Sequence, residues 1–439
     1  MEALEDDIRA GKLNITDRLP AQRELAKVLD LNYATVSRAY SEAQRRGLIY
    51  SRVGQGTFIC RPRNPQASQR SAGRVDMTMN LPPEPDDPQL DERLTRGLRA
   101  LDGELRGLLR YQEFGGSDDA RESGVRWLAR RGLTLSAECV LVCPGAQTAL
   151  LAVVGLLAKP GDVVLCEHLT YPGMRAVAAQ LGVRLVGLPM DDEGVSAEAL
   201  RRACLEHHPK ALYSNPTFLN PTTHVISLAR REALVAIARQ HGIPIIEDDA
   251  YGVLPASTPA AFAQLAPELT FHVSGFAKFL GAGLRVAYLV APDARRTSRL
   301  STSLRALSVM ASPLTVALAT QWVNDGTAEA ALLGVRAESV ERQRIVSRVL
   351  ASASYRTQPE AFHLWLALPA PWTRAAFASH LRGHNVHVAV SDAFSVAEPS
   401  PEAVRVCLGG AVSRAEITHA LELIADALEH PASTSSAFF

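Results

Sequence analysis

The sequence is short of several things, and each shortage removes a class of protein. Six cysteines in 439 residues (Cys60, Cys139, Cys143, Cys166, Cys204 and Cys407) are scattered and form no C-x-x-C pair. A disulfide framework or a zinc site is therefore not expected, and reduced thiols inside a cytoplasmic protein are the plain reading. No basic segment precedes an apolar one at the start, since Met1–Asp7 is acidic, so no secretory signal is read there. The longest apolar run, Ala149–Ala158, is half of the roughly 20 residues that a membrane-spanning helix needs. Net charge is zero, which gives no global pull towards nucleic acid or membrane. The balance is uneven, however: residues 1–63 hold 11 Lys/Arg against 8 Asp/Glu.

What is present divides into three stretches. Residues 1–60 hold short amphipathic helices followed by a glycine-punctuated hairpin. Residues 61–78 (RPRNPQASQRSAGRVDMT) are rich in Arg, Pro, Ser and Gln and read as a linker. From residue 79 to about 430 apolar strands alternate with helices. Strands are expected at Val140–Cys143, Val163–Glu167, Val183–Met190, Ala211–Asn215 and Ile243–Asp248, with helices between them. That alternation predicts a parallel sheet covered on both faces, an α/β large domain over about 79–325. A smaller α+β domain is expected over about 326–430, with strands at Phe362–Leu368, Val386–Val390 and Val404–Leu408. Its closing helix opens on the capping box Ser413-x-x-Glu416.

The first stretch predicts helix, turn, helix and wing over residues 19–59. Leu25 and Val28 are expected to face inward on the first of these helices, and Asn32 to cap the second. Val36, Ala39 and Tyr40 make the buried stripe of that second helix. Tyr33, Ala34, Thr35, Ser37 and Arg38 then lie exposed near its start, where a recognition helix meets base edges. The hairpin Arg52-Val53-Gly54-Gln55-Gly56 can approach a phosphate backbone, and Arg23, Arg38 and Arg52 can supply phosphate or base contacts. A small structural bundle with a solvated face is the bland alternative. The order LPxxREL, TVxRAY and GxGTF resembles the winged helix-turn-helix of the GntR family, which implies binding to double-stranded DNA. Tyr33 stands where many relatives carry Arg. The helix before Ile8 is shorter than in those relatives, so an upstream start codon is one expectation.

In the long stretch, Gly145-Ala146-Gln147 links a strand to a helix and offers a dipole and backbone N–H groups to a phosphate. Glu247-Asp248-Asp249-Ala250-Tyr251 puts carboxylates and a phenol beyond a strand end, where open α/β sheets bind ligands. Ser274-Gly275-Phe276-Ala277-Lys278 follows an apolar strand with a lone lysine, suited to a desolvated amine, and Arg285 lies seven residues on. Each motif alone also reads as core-edge aromatics or solvated loop charges. In order, GAQ, YPG, NPTFLNPT, EDDAY and SGFAK…GLR resemble fold-type I pyridoxal 5'-phosphate (PLP) enzymes, the aminotransferase superfamily.

That resemblance implies a role for each matching position. Lys278 would form the Schiff base with PLP, and Asp248 would pair with its pyridinium nitrogen. Asn220 and Tyr251 would donate to the ring oxygen, and Tyr171 would stack on the ring. Gly145, Ala146, Gln147, Ser274 and Arg285 would form the phosphate cup, and Arg405 would grip a carboxylate bidentately. Tyr111, with Gly116 behind it, would come from the neighbouring subunit of a homodimer. The chain departs from the family at Gly275, where a serine is usual, at Pro221-Thr222-Thr223, and at Gly281-Ala282-Gly283. A GntR head on an aminotransferase-like body resembles the MocR subfamily. It implies a cytoplasmic, PLP-dependent regulator that senses an amino compound by aldimine exchange, with catalysis optional. The alternative is an aminotransferase with an incidental DNA-binding module.

Overall fold

The computed structural model describes residues 7, 13, 17–45, 49–52, 56–59 and 74–430. Gln55, Gly54, Cys60, the helix expected before Ile8 and residues 61–73 of the expected linker lie outside them. The chain divides into two compact units after Gly73.

In the first unit β1 (Arg18–Leu19) leads into α1 (Gln22–Val28) and α2 (Tyr33–Arg45), then β2 (Ile49–Arg52) and β3 (Gly56–Ile59). β3 lies between β1 and β2 in an antiparallel three-stranded sheet. Its core is Ala26, Val36, Tyr40, Ala43 and Ile49, with Leu19 and Leu25 packed against it. Val28 is 79% exposed, contrary to expectation. Val28 is the last residue of the seven-residue α1, whose contribution to this small core is made by Leu25 and Ala26. Asn32 does cap α2, accepting a bond from the Ala34 N–H at 2.9 Å. The buried phenol of Tyr40 donates to the Pro20 carbonyl at 2.7 Å, which fastens α2 to the entry of α1.

The second unit begins with β4 (Val75–Asp76) and α3 (Pro88–Ala100), then α4 (Asp118–Leu128). The alternating series follows: β5 (Val140–Cys143), α5 (Ala146–Leu157), β6 (Val163–Glu167), α6 (Pro172–Leu181), β7 (Arg184–Leu188), α7 (Ala197–His207), β8 (Ala211–Ser214), α8 (Leu228–His241) and β9 (Ile245–Asp248). β10 (Thr270–Gly275) and β11 (Ala287–Val290) complete a seven-stranded sheet in the order β5-β11-β10-β9-β8-β6-β7. It is mixed, not parallel, because β11 runs antiparallel to both β10 and β5. A short, fully apolar strand reads the same in either direction, and the tight return after Lys278 sets the direction here.

The long helix α9 (Thr327–Val349) leads to five further strands, β12 (Tyr355–Arg356), β13 (His363–Ala367), β14 (Val386–His387), β15 (Ala389–Val390) and β16 (Ala403–Cys407). Four of these form an antiparallel sheet ordered β12-β13-β16-β15, closed by α10 (Arg414–Glu429), whose Ser413–Glu416 capping box is formed. β14 instead pairs in parallel with β4, Val75 opposite Val386. Residues 74–78, expected in the linker, are thus built into the second unit, because their backbone groups complete this ladder. Among the described residues no helix is long and apolar enough to cross a membrane.

Candidate functional site

Strand alternation decides which side chains reach the site. Ile246 and Tyr213 pack with α5 on one face of the large sheet. Asp248, two residues after Ile246, therefore shares that face, while Glu247 and Asp249 turn to the other. There Glu247 accepts from His272 Nδ1 at 2.8 Å and from the Phe262 N–H at 2.7 Å. Asp249 takes Arg131 Nε at 2.6 Å; burial would raise this carboxyl, but Arg131 and His272 outweigh it and hold it below the usual range. Of the three acids in the motif, Asp248 faces the functional side and the other two serve the framework.

Asp248 is buried at the end of β9. Its Oδ2 accepts from Tyr213 Oη at 2.8 Å, and its backbone carbonyl accepts from Asn215 Nδ2 at 2.6 Å. Oδ1 has no hydrogen-bond partner among the described residues. Burial pushes the Asp248 carboxyl up to about 6, against the opposing pull of Tyr213 and Lys278. Lys278 closes the short 3-10 turn that follows β10. Its Nζ donates to the Asn80 carbonyl at 2.6 Å and lies 5.4 Å from the centre of the Tyr251 ring. Burial first, then the nearby Arg405 charge, brings the amine down to about 8. The Tyr251 hydroxyl accepts from Asn80 Nδ2 at 2.8 Å, and burial raises its phenol.

Several of the residues expected to cup a phosphate lie around the start of α5. Gly145 has φ +85°, and a Cβ there would sit 2.7 Å from Arg285 Nη2. Glycine is thus required both by the backbone and by the arginine laid against it. Gln147 Nε2 donates to the Gly173 carbonyl at 2.9 Å, and its Oε1 has no partner among the described residues. Tyr171 stands just before α6, its phenol raised by burial and by Asp248 and lowered by Arg285 and Arg405. Ser274 does not join the cup. It pairs across the sheet with Tyr288 and shares the face of His272, whereas Gly275 shares the α5 face with Phe271 and Val273.

Arg405 projects from β16. Nη1 donates to Asn220 Oδ1 at 2.6 Å and Nη2 to the Thr78 carbonyl at 2.5 Å, with Phe394 beneath it at 4.8 Å. Its Nε has no partner among the described residues. Tyr111 is 79% exposed and is not brought to this site within one chain. Sequence reasoning missed Thr78, Asn80, Tyr213, Asn215 and His363. Asn215 opens the NPTFLNPT motif but is given no role there; the others carry no motif signal, and the first two stand in a stretch read partly as linker.

In the first unit Arg23, Tyr33, Ala34, Thr35 and Arg38 are exposed and Ser37 is half-buried. Arg23 lies 6.0 Å from the centre of the Tyr33 ring. Gly56 opens β3 with φ +120° beside Arg18. The backbone of Arg52 ends β2, while its side chain and Gln55 lie outside what is described.

Fold and site together define a winged-helix DNA-binding head followed by a body of fold-type I aminotransferase architecture. Residues 78–424 match aminotransferase class I and II, and residues 1–59 match the bacterial regulatory proteins of the gntR family. The chain belongs to these families and is a transcription regulator of MocR type. It is 30% identical over 426 residues to the HTH-type transcriptional regulator YdeF of Bacillus subtilis, covering 96% of this chain and 92% of YdeF. It is 26% identical to the probable rhizopine catabolism regulatory protein MocR of Rhizobium meliloti, covering 66% and 64%. The structure of LysN, the α-aminoadipate aminotransferase of Thermus thermophilus complexed with N-(5'-phosphopyridoxyl)-L-leucine, superposes with TM-score 0.74 at 23% identity over 82% of this chain and 92% of LysN.

The family implies PLP use, and the residues present fit that group. Asp248 Oδ1 is an unmet acceptor suited to a pyridinium N–H, and the Gly145–Arg285 cradle is suited to a phosphate. Lys278 is an amine kept partly uncharged between them.

Proposed function

We propose that this regulator binds PLP in the site above and senses an amino compound carrying a carboxylate. The supporting observation is the convergence, on one buried spot, of a lysine with a depressed pKa, a carboxylate with a free oxygen and an arginine with a free Nε. PLP, when bound, supplies an aldehyde carbon to which a primary amine adds. Asp248 would hold the ring nitrogen protonated, Tyr171 would lie on its face, and Gly145, Ala146, Gln147 and Arg285 would hold its phosphate. Asn220 and Tyr251 would flank its ring oxygen. Arg405 would select the effector by its carboxylate, using the fork geometry that lysine lacks.

In this reading the effector exchanges the Thr78 and Asn220 partners of Arg405 for its own carboxylate, and the small domain settles on it. The head, through Tyr33, Ala34, Thr35, Ser37 and Arg38 with Arg23, Arg52, Gln55 and Gly56, binds operator DNA. The protein acts in the cytoplasm as a homodimer. Leu105, Leu109, Tyr111, Leu307 and Val309 are exposed, an apolar surface that a second copy would cover, bringing Tyr111 towards the partner's site.

The test is fluorescence anisotropy of the PLP-loaded protein on duplex DNA from upstream of its own gene, across a salt series with unrelated DNA as control. Binding well above the control, altered by an amino compound and unaltered by it in Lys278→Ala, is the expected result. Binding equal to the control, with multiple turnovers of an amino acid and a keto acid, would instead establish the aminotransferase reading.

A further inference from the structure

The neighbourhood of Arg405 holds more unmet hydrogen-bonding capacity than one carboxylate can use. His363 on β13 lies directly opposite Cys407 on β16, two residues from Arg405 on the same face. It is 1% exposed, and neither ring nitrogen has a well-formed hydrogen bond among the described residues, the Leu219 backbone offering the ring only a weak contact. Its ring centre is 5.8 Å from that of Tyr251. Asn80, 7% exposed, also meets Tyr251: its Nδ2 is committed to the Tyr251 hydroxyl while Oδ1 has no partner among the described residues. Buried polar groups are nearly always satisfied, so this many unmet atoms around one tyrosine calls for a ligand that satisfies them.

We infer that Asn80 and His363 form a second polar subsite beside Arg405, which recognises an uncharged hydrogen-bonding group, a hydroxyl or carboxamide, on the side chain of an amino-acid effector. The inference rests on the amino-compound reading above and gives it a chemical class. Burial, Arg405 and Lys278 all press His363 towards the neutral imidazole, well below its ordinary pKa, against the Leu219 backbone. A neutral imidazole offers one donor and one acceptor, and Asn80 Oδ1 offers a further acceptor. A hydroxyl or carboxamide carries both donor and acceptor. A second carboxylate would bring no donor for Asn80, and an alkyl chain would leave every one of these atoms unmet.

The experiment is titration of the PLP-loaded full-length protein with pairs of near-isosteric amino acids, read by the change in the cofactor's absorbance. The pairs are threonine with valine, glutamine with methionine, and asparagine with aspartate. The polar uncharged member should bind at least about tenfold more tightly in each pair, since a site built to hydrogen-bond a group rejects the analogue lacking it. In His363→Leu and Asn80→Ala, checked for unchanged PLP absorbance, the threonine and glutamine preferences should shrink to within about threefold while valine and methionine affinities hold. The wild-type comparison stands alone if either variant misfolds. Equal affinity within the pairs, tighter binding of aspartate, or preferences unchanged in the variants overturns the subsite and leaves amine sensing intact. A cofactor spectrum indifferent to every amino acid overturns the sensing reading itself, and the subsite with it.

Discussion

At neutral pH Asp248 carries its charge where burial disfavours it, with a pKa of about 6 in the folded chain. A carboxyl raised on folding is better tolerated as pH falls through that value, so above it the folded apo-protein bears a cost. Replacing Asp248 by Asn removes the charge and keeps an acceptor for Tyr213. The apo form of Asp248→Asn should therefore be more stable than the parent by about 1–3 kcal/mol at pH 7, with the gain fading towards pH 4. The same variant should bind PLP at least about tenfold more weakly. Thermal melts with and without PLP, across pH, test both halves; a destabilised apo-protein would sink the idea. Lys278 has the opposite sign. Lowered to about 8, it is uncharged at pH 7 in a fraction roughly 300-fold larger than an ordinary lysine. The rate at which apo-protein captures PLP should climb with pH and level off above about 8, measured by stopped-flow absorbance. Arg405→Lys keeps the charge and loses the fork, so it should retain PLP and lose the effector response.

At the scale of elements, Gly145→Ala is the sharpest probe. It places a side chain at φ +85° and against Arg285. A loss of about 1–3 kcal/mol of stability and a similar loss in PLP binding are expected, from denaturant melts and equilibrium dialysis. Asn32→Ala should cost about 1 kcal/mol in the first unit alone, through loss of the α2 cap. Much of this level was legible in the sequence: β6 and β5 fall on the expected residues, and α5, α6, α7 and α8 lie between the expected strands. β11 was not among the expected strands, and a short apolar run would in any case carry no direction. Ser274 was misplaced by one step of strand alternation, which exchanges one face of a sheet for the other. Asn80, Tyr213 and His363 carried no signal, because their meaning comes from contacts between residues far apart in the chain, Asn80 with Tyr251 and Tyr213 with Asp248.

For the molecule as a whole, the motifs in order were enough to read a head and a body, while the extent of the body was under-read at its first residues. The aminotransferase-like unit begins at Arg74, and its opening strand is paired not with the large sheet but with β14, beside the small domain's sheet. The Val75 N–H donates to the Asn385 carbonyl, and the Met77 N–H to that of His387. Three residues after Met77 the same stretch touches Tyr251 and Lys278 through Asn80. The first described residues of the body are thus paired with a strand beside the small domain's sheet, and reach Tyr251 and Lys278 a few residues on. A movement of β14 would therefore be carried to Asn80 along four residues of backbone, without passing through the large sheet.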